Sequence, residues 1–179
     1  MTSATIAPTG MYPHDVEGSQ ESRWLLKALR ESAHELESQL WGLGEDQLRW
    51  RPSDDAMSLK ELVAHLRDCE EHFLQTLELI AYRDEPKLAS FDGDALVLDR
   101  DYQEIDLPET LEQYTYLRHC TMNVLWGPAA GAWQRTGRHP YLGQISIEQL
   151  VREQNEHDLE HLWEARRIRE ELAQRAETS

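Results

Sequence analysis

The chain has 179 residues, 40% of them apolar, and a formal charge of -16; it is long enough to bury a core without a disulfide or metal staple. That acidity argues against nucleic acid and anionic membranes as partners, since either surface would repel it. No run of about 18 apolar residues exists to span a membrane, and the start of the chain lacks the charged region and apolar run of a secretory signal, so the expected location is cytoplasmic. Residues 1–18, "MTSATIAPTGMYPHDVEG", carry two prolines, two glycines and no sustained periodicity, and read as a loosely held arm.

From Trp24 the apolar residues Leu25, Ala28, Leu29, Ala33, Leu36 and Leu40 recur at steps of three and four, the pattern of an amphipathic helix ending near Gly42 and Gly44. The loop "EDQLRWRPSDDAM" leads to "SLKE", where Ser58 can cap a second helix while Glu61 reaches back to its backbone. Its stripe from Leu59 to Ile80 runs on to about Tyr82. Residues 84–106 are polar apart from "ALVLD", which reads as a short extended piece. "DLPE" then repeats the capping pattern with Asp106 and Glu109, and Pro108 sits in the first turn of a third helix running to about Trp126. The loop after it is expected to carry a little helix around Trp133. "SIEQ" begins a fourth helix, with Ser146 as cap, running to about Ala173. Its arginine run "EARRIREELAQR" is interleaved with glutamate and reads as a solvated face. Four long amphipathic helices make the chain all-α, a four-helix bundle.

Within the fourth helix, "NEHDLEHLWEAR" places His157 and His161 four residues apart, within or beside the apolar face defined by Ile147, Val151, Ala165 and Ile168. A single inward histidine is ordinarily a hydrogen-bonded core side chain. Two imidazoles one turn apart bring four ring nitrogens into space that apolar residues would fill at lower cost, whereas the same spacing lets both rings reach one ion at about 2.0–2.1 Å. A third ligand must come from another helix, and His65, Cys69, His72 and His119 are the candidates; helix geometry does not separate His65 from His72. His34 and His14 read as solvated. Cys69 and Cys120 lack CxxC spacing, and buried apolar packing is their default. "HDLEH" departs from the zincin HExxH in carrying Asp158, with no extension to supply a third ligand, which argues against a protease of that type.

"SLKELVAHLRDCEEHF" together with "RHPYLGQISIEQLVREQNEHDLEHLWEARRI" resembles the DinB-like family of bacterial metalloenzymes, over roughly residues 20–172. The resemblance implies a four-helix bundle with one long crossover connection across residues 19–175. It also implies a divalent metal, zinc or nickel, held by His65, His157 and His161, which decides between His65 and His72. Three neutral nitrogens leave a coordination position for water or substrate. Relatives with known chemistry are low-molecular-weight-thiol transferases and thiol-dependent isomerases, so the expected function is attack of a metal-activated thiol or water on a small electrophilic substrate. The alternative is a metal-binding, stress-response module without turnover that acts through a partner or as a dimer. An open cleft leading to the metal, lined by loop residues such as Trp50, Arg51, Trp133 and Tyr141, would separate the two. Asp158, Glu70 and Asp68 lie near ligands and could orient imidazoles. Glu164 stands where relatives often carry glutamine. The resemblance further implies a homodimer, for which Trp24, Leu43 and Trp163 offer apolar surface.

Overall fold

The computed structural model describes residues 20–127 and 129–178; the arm expected over residues 1–18 lies outside them. Four long helices, α1 (Gln20–Leu40), α3 (Leu59–Tyr82), α5 (Leu107–Trp126) and α6 (Ile147–Thr178), carry the fold. Their connections hold two short helices, α2 (Glu45–Arg49) and α4 (Gly93–Asp99), a 3-10 turn at Tyr102–Glu104, and a hairpin of β1 (Thr136–His139) and β2 (Gly143–Ser146).

The caps form as the sequence predicts. Ser58 Oγ accepts from Glu61 N at 3.3 Å while Ser58 N donates to Glu61 Oε2 at 2.8 Å. Asp106 Oδ1 accepts from Glu109 N at 3.0 Å, and Ser146 and Gln149 exchange the same reciprocal bonds at the start of α6. Each satisfies backbone donors that have no partner within the helix.

Helix α1 packs against α5 and α6, and α3 packs against the same two, so the sequence neighbours α1 and α3 occupy opposite corners. One apolar cluster gathers Leu26 and Leu29 of α1, Phe73 to Ile80 of α3, Met122 to Leu125 of α5, and Ile147 and Val151 of α6. The other gathers Leu36 and Leu40, Leu59 to Leu66, Leu107 and Tyr114, and Leu162 to Leu172. The chain therefore runs from the first cluster to the second along α1 and α6, and from the second to the first along α3 and α5. Parallel α3 and α5 need a connection that returns the length of the bundle, and residues 83–106 are that long crossover.

Two expectations about the connections are corrected. "ALVLD" lies in α4, whose first turn is capped by Asp92 Oδ1 accepting from Ala95 N at 3.0 Å. Trp133 sits in a turn, and a hairpin follows it in register Thr136 with Ser146 and His139 with Gly143. The hairpin is held by tertiary contacts. Arg138 N donates to Pro86 O at 2.7 Å and Leu88 N to Arg138 O at 2.9 Å, and a Cβ at Gly137 would lie 2.8 Å from Leu88. Among the described residues no helix is long and apolar enough to cross a membrane.

Candidate metal centre

Between the two apolar clusters lies a polar layer to which every long helix contributes. At its centre Arg118 of α5, 3% exposed, pairs with Asp158 of α6 at 2.7 Å and Glu70 of α3 at 2.8 Å. The same guanidinium donates to Leu29 O at 2.7 Å and Ser32 Oγ at 3.0 Å on α1, and to Tyr114 Oη at 3.1 Å. Ser32 Oγ donates to Asp158 Oδ2 at 2.7 Å, Gln154 Nε2 to Asp158 Oδ1 at 3.1 Å, and Thr121 Oγ1 to Glu70 Oε1 at 2.5 Å. Burial works against the charge on Arg118, but Asp158 and Glu70 outweigh it and hold the guanidinium protonated. Asp158 and Glu70 thus tie the four helices together, and Asp68 anchors the crossover through Tyr102 Oη and, at 2.7 Å, Arg100. All three carboxylates therefore make contacts that hold the helices and the crossover in place.

The layer sets His65 against the fourth helix. Nε2 of His65 lies 3.1 Å from Nε2 of His157, which lies 3.2 Å from Nε2 of His161. The three ring centroids are 4.5 to 5.2 Å apart. Each ring nitrogen carries either one hydrogen or one lone pair, so His157 Nε2 can bond well to only one of its two neighbours. A cation facing three lone pairs would satisfy all of them, which is the chemistry this donor set fits. His65 is buried and His157 and His161 are half-buried. His161 Nδ1 lies 3.1 Å from Glu164 Oε2, and this hydrogen bond holds the Glu164 carboxyl below the usual range. Glu164, which stands where relatives often carry glutamine, is thus the carboxylate that faces an imidazole here, a contact the sequence reading did not draw. Its position three residues after His161, on the same face of α6, was the available signal.

Of the other candidate ligands, Cys69 lies at the site and the remaining histidines lie away from it. Cys69 Sγ lies 3.6 Å from His65 Nε2, and the donor atoms of His65, Cys69 and His157 all fall within 4.8 Å of one another. His72, two turns along α3, stacks on Phe91 with centroids 4.3 Å apart and rings 8° from parallel; burial first, and His139 second, push its pKa below the ordinary imidazole value. His119 and His34 are exposed, and His14 lies outside the described residues.

An open cleft of about 730 Å³ reaches His65, Cys69 and His157, walled by α3, α6, the start of α4 and the hairpin tip with His139 and Tyr141. Of the four loop residues expected to line it, only Tyr141 does. Trp133 is buried in the first apolar cluster, Trp50 packs against the second with the Arg175 guanidinium over its ring, and Arg51 pairs with Glu61. The start of α4 closes over the site at Gly93, where a Cβ would come within 2.9 Å of Cys69 Sγ and 3.0 Å of His65 Cε1.

A family model described as the DinB superfamily matches residues 28–165. Among solved structures, the chain is similar to YfiT from Bacillus subtilis, described as "a probable metal-dependent hydrolase with an unusual four-helix bundle topology". The TM-score is 0.77 at 18% sequence identity, covering 93% of this chain and 96% of that one. No curated protein matches the chain.

Proposed function

Because this chain belongs to the DinB superfamily, we propose that it is a divalent-metal-dependent enzyme in which His65, His157 and His161 hold the ion. The single observation carrying this reading is the convergence of three imidazole nitrogens, 3.1 and 3.2 Å apart in sequence of contact, beside an open cleft. A bound zinc or nickel ion would lower the pKa of a thiol or water arriving through that cleft and leave it nucleophilic at neutral pH. The finer reading is transfer of a low-molecular-weight thiol to an electrophilic acceptor.

The chain's own residues would bind and orient. The stacked pair of His72 and Phe91 offers a flat wall for the acceptor. His139 Nδ1 accepts from the backbone N–H groups of Tyr141 and Leu142 at 3.3 and 3.2 Å, which places its proton on Nε2, where it can donate to a substrate. Among the described residues lining the cleft there is no lysine or arginine, so an anionic substrate group would find its positive partner in the ion. The openness of the cleft favours an enzyme over a closed, non-catalytic stress-response module.

The expected result is that metal-loaded protein accelerates transfer of a small thiol, with glutathione, bacillithiol and mycothiol tried as donors, and that His161→Ala abolishes the rate. Hydrolysis of the same acceptors in the absence of thiol would identify water as the nucleophile, in keeping with the description of YfiT. Equal rates for wild type, metal-free protein and His161→Ala across the panel would leave the non-catalytic module as the better account.

The homodimer belongs to the same proposal. Trp24 and Trp163 are 60% and 68% exposed, whereas Leu43 packs against the second apolar cluster, so the face offered to a second copy is that of α1 and α6. Light scattering at micromolar concentration should give twice the chain mass, and 20.9 kDa would remove the dimer.

A further inference from the structure

The two helices that meet at the site each present a pair of metal-binding side chains one turn apart: His157 and His161 on α6, His65 and Cys69 on α3. We propose that the Cys69 thiolate is a fourth protein ligand of the ion. The inference rests on the reading of the three histidines as ligands and adds a donor of different chemistry to them.

The geometry argues for it. A tetrahedral zinc ion with ordinary bond lengths sets its nitrogen donors roughly 3.3 Å apart and a sulfur roughly 3.6 Å from each nitrogen. The corresponding separations here are 3.1 and 3.2 Å between imidazole nitrogens and 3.6 Å from Cys69 Sγ to His65 Nε2. Sγ also shares a 4.8 Å cluster with donor atoms of His65 and His157, a group that does not include His161, whose Nε2 joins it through His157 Nε2 at 3.2 Å; the sulfur lines the same cleft. Glycine occupies position 93, where any Cβ would press on both Sγ and the His65 ring, so the backbone at the start of α4 packs directly against this pair and holds the sulfur beside the imidazole.

Ligation exchanges the S–H bond for a sulfur–metal bond and releases the proton to solvent through the cleft. A thiolate shifts the preference of the site towards zinc and other metals that favour sulfur, and away from magnesium or manganese. With it, the chain's own residues would offer the ion four donors.

Cobalt substitution of the full chain reads the ligand directly. Wild-type protein loaded with Co(II) should develop the near-ultraviolet charge-transfer band of a thiolate–cobalt bond, together with the intense visible bands of a tetrahedral centre. Cys69→Ser and Cys69→Ala should bind cobalt through the histidines without that band, and Cys120→Ser should retain it. Zinc affinity should fall at least about tenfold in both Cys69 variants, because even groups that only support a ligand are worth about 10–100-fold. Cobalt bound to wild type without the band, or a band surviving in both Cys69 variants, overturns the proposal and leaves a three-histidine site standing. No cobalt binding by wild type overturns the three-histidine reading as well.

Discussion

Replacement of Arg118 by methionine is expected to destabilise the protein by about 3–5 kcal/mol, since breaking a buried ion pair from one side leaves uncompensated charge in the interior. Here the loss would strand two carboxylates, on Glu70 and Asp158, in a layer closed above and below by apolar clusters. It would also remove the donor to Leu29 O, Ser32 and Tyr114. For a chain of this length the melting temperature should drop by roughly 6–20 °C. Methionine keeps most of the side-chain volume, so a cavity cannot account for the effect. Burial already pushes the Glu70 carboxyl above its usual range in the presence of Arg118. Thermal or urea unfolding measures the change, and a loss below about 1 kcal/mol, the scale of an exposed ion pair, would mean that Arg118 does not hold the helices together. Asp158 follows His157 directly in the chain. A variant that still folds should therefore also bind metal more weakly, because its α6 is no longer fixed against α3.

The four helices were legible because their apolar residues repeat at the helical period and three of them, α3, α5 and α6, start at a side-chain cap; both are local properties of the chain. The connections were not, because tertiary contacts decide them. "ALVLD" has strand-forming residues, yet Asp92 caps it and α3 receives it as a helix. The hairpin is held by residues distant in the chain: Leu88 lies against Gly137, and the Pro86 and Leu88 backbones bond to Arg138. The site divides along the same line. His157 and His161 announce themselves by a spacing of four within one helix. His65 and His72 are seven apart, nearly two full turns, so they share a helix face and periodicity cannot choose between them. Family resemblance points to His65, and the bundle separates the two by height: His65 lies in the polar layer beside His157, while His72 lies further along the cleft against Phe91. Cys69 reads from sequence as a small buried residue one turn from His65, which it is; the meeting of α3 with α6 brings the second imidazole, His157, into the same cluster. Arg118 was missed although an arginine flanked by Tyr114 and Thr121 on the inward face of α5 was visible in the sequence. Its partners come from three other helices, so no local pattern could reveal what it binds.

His157→Ala is expected to have the largest effect on metal content. His157 is the middle member of the chain of contacts, with its Nε2 3.1 Å from His65 and 3.2 Å from His161. Removing it separates the α3 donor from the α6 donor, whereas His65→Ala or His161→Ala each remove an outer member. All three should strip most of the ion from protein purified without an affinity tag, as read by elemental analysis. His34→Ala and His72→Ala should leave it in place, the first because that residue is exposed on α1 and the second because its ring stacks against Phe91. His72 is the sharper control, since it lines the same cleft as His65 and His157. Folding should survive in every case, because each apolar cluster is built from all four helices without any contribution from the ion. Chelation of the wild type should accordingly lower its melting temperature without unfolding it at room temperature; a free metal concentration about 100-fold above its Kd contributes about 2.7 kcal/mol. His157→Ala should already sit at this lowered temperature and respond little to chelator. Full metal occupancy in His157→Ala would place the ion elsewhere in the protein, and with it would fall the roles given to His65 and His161.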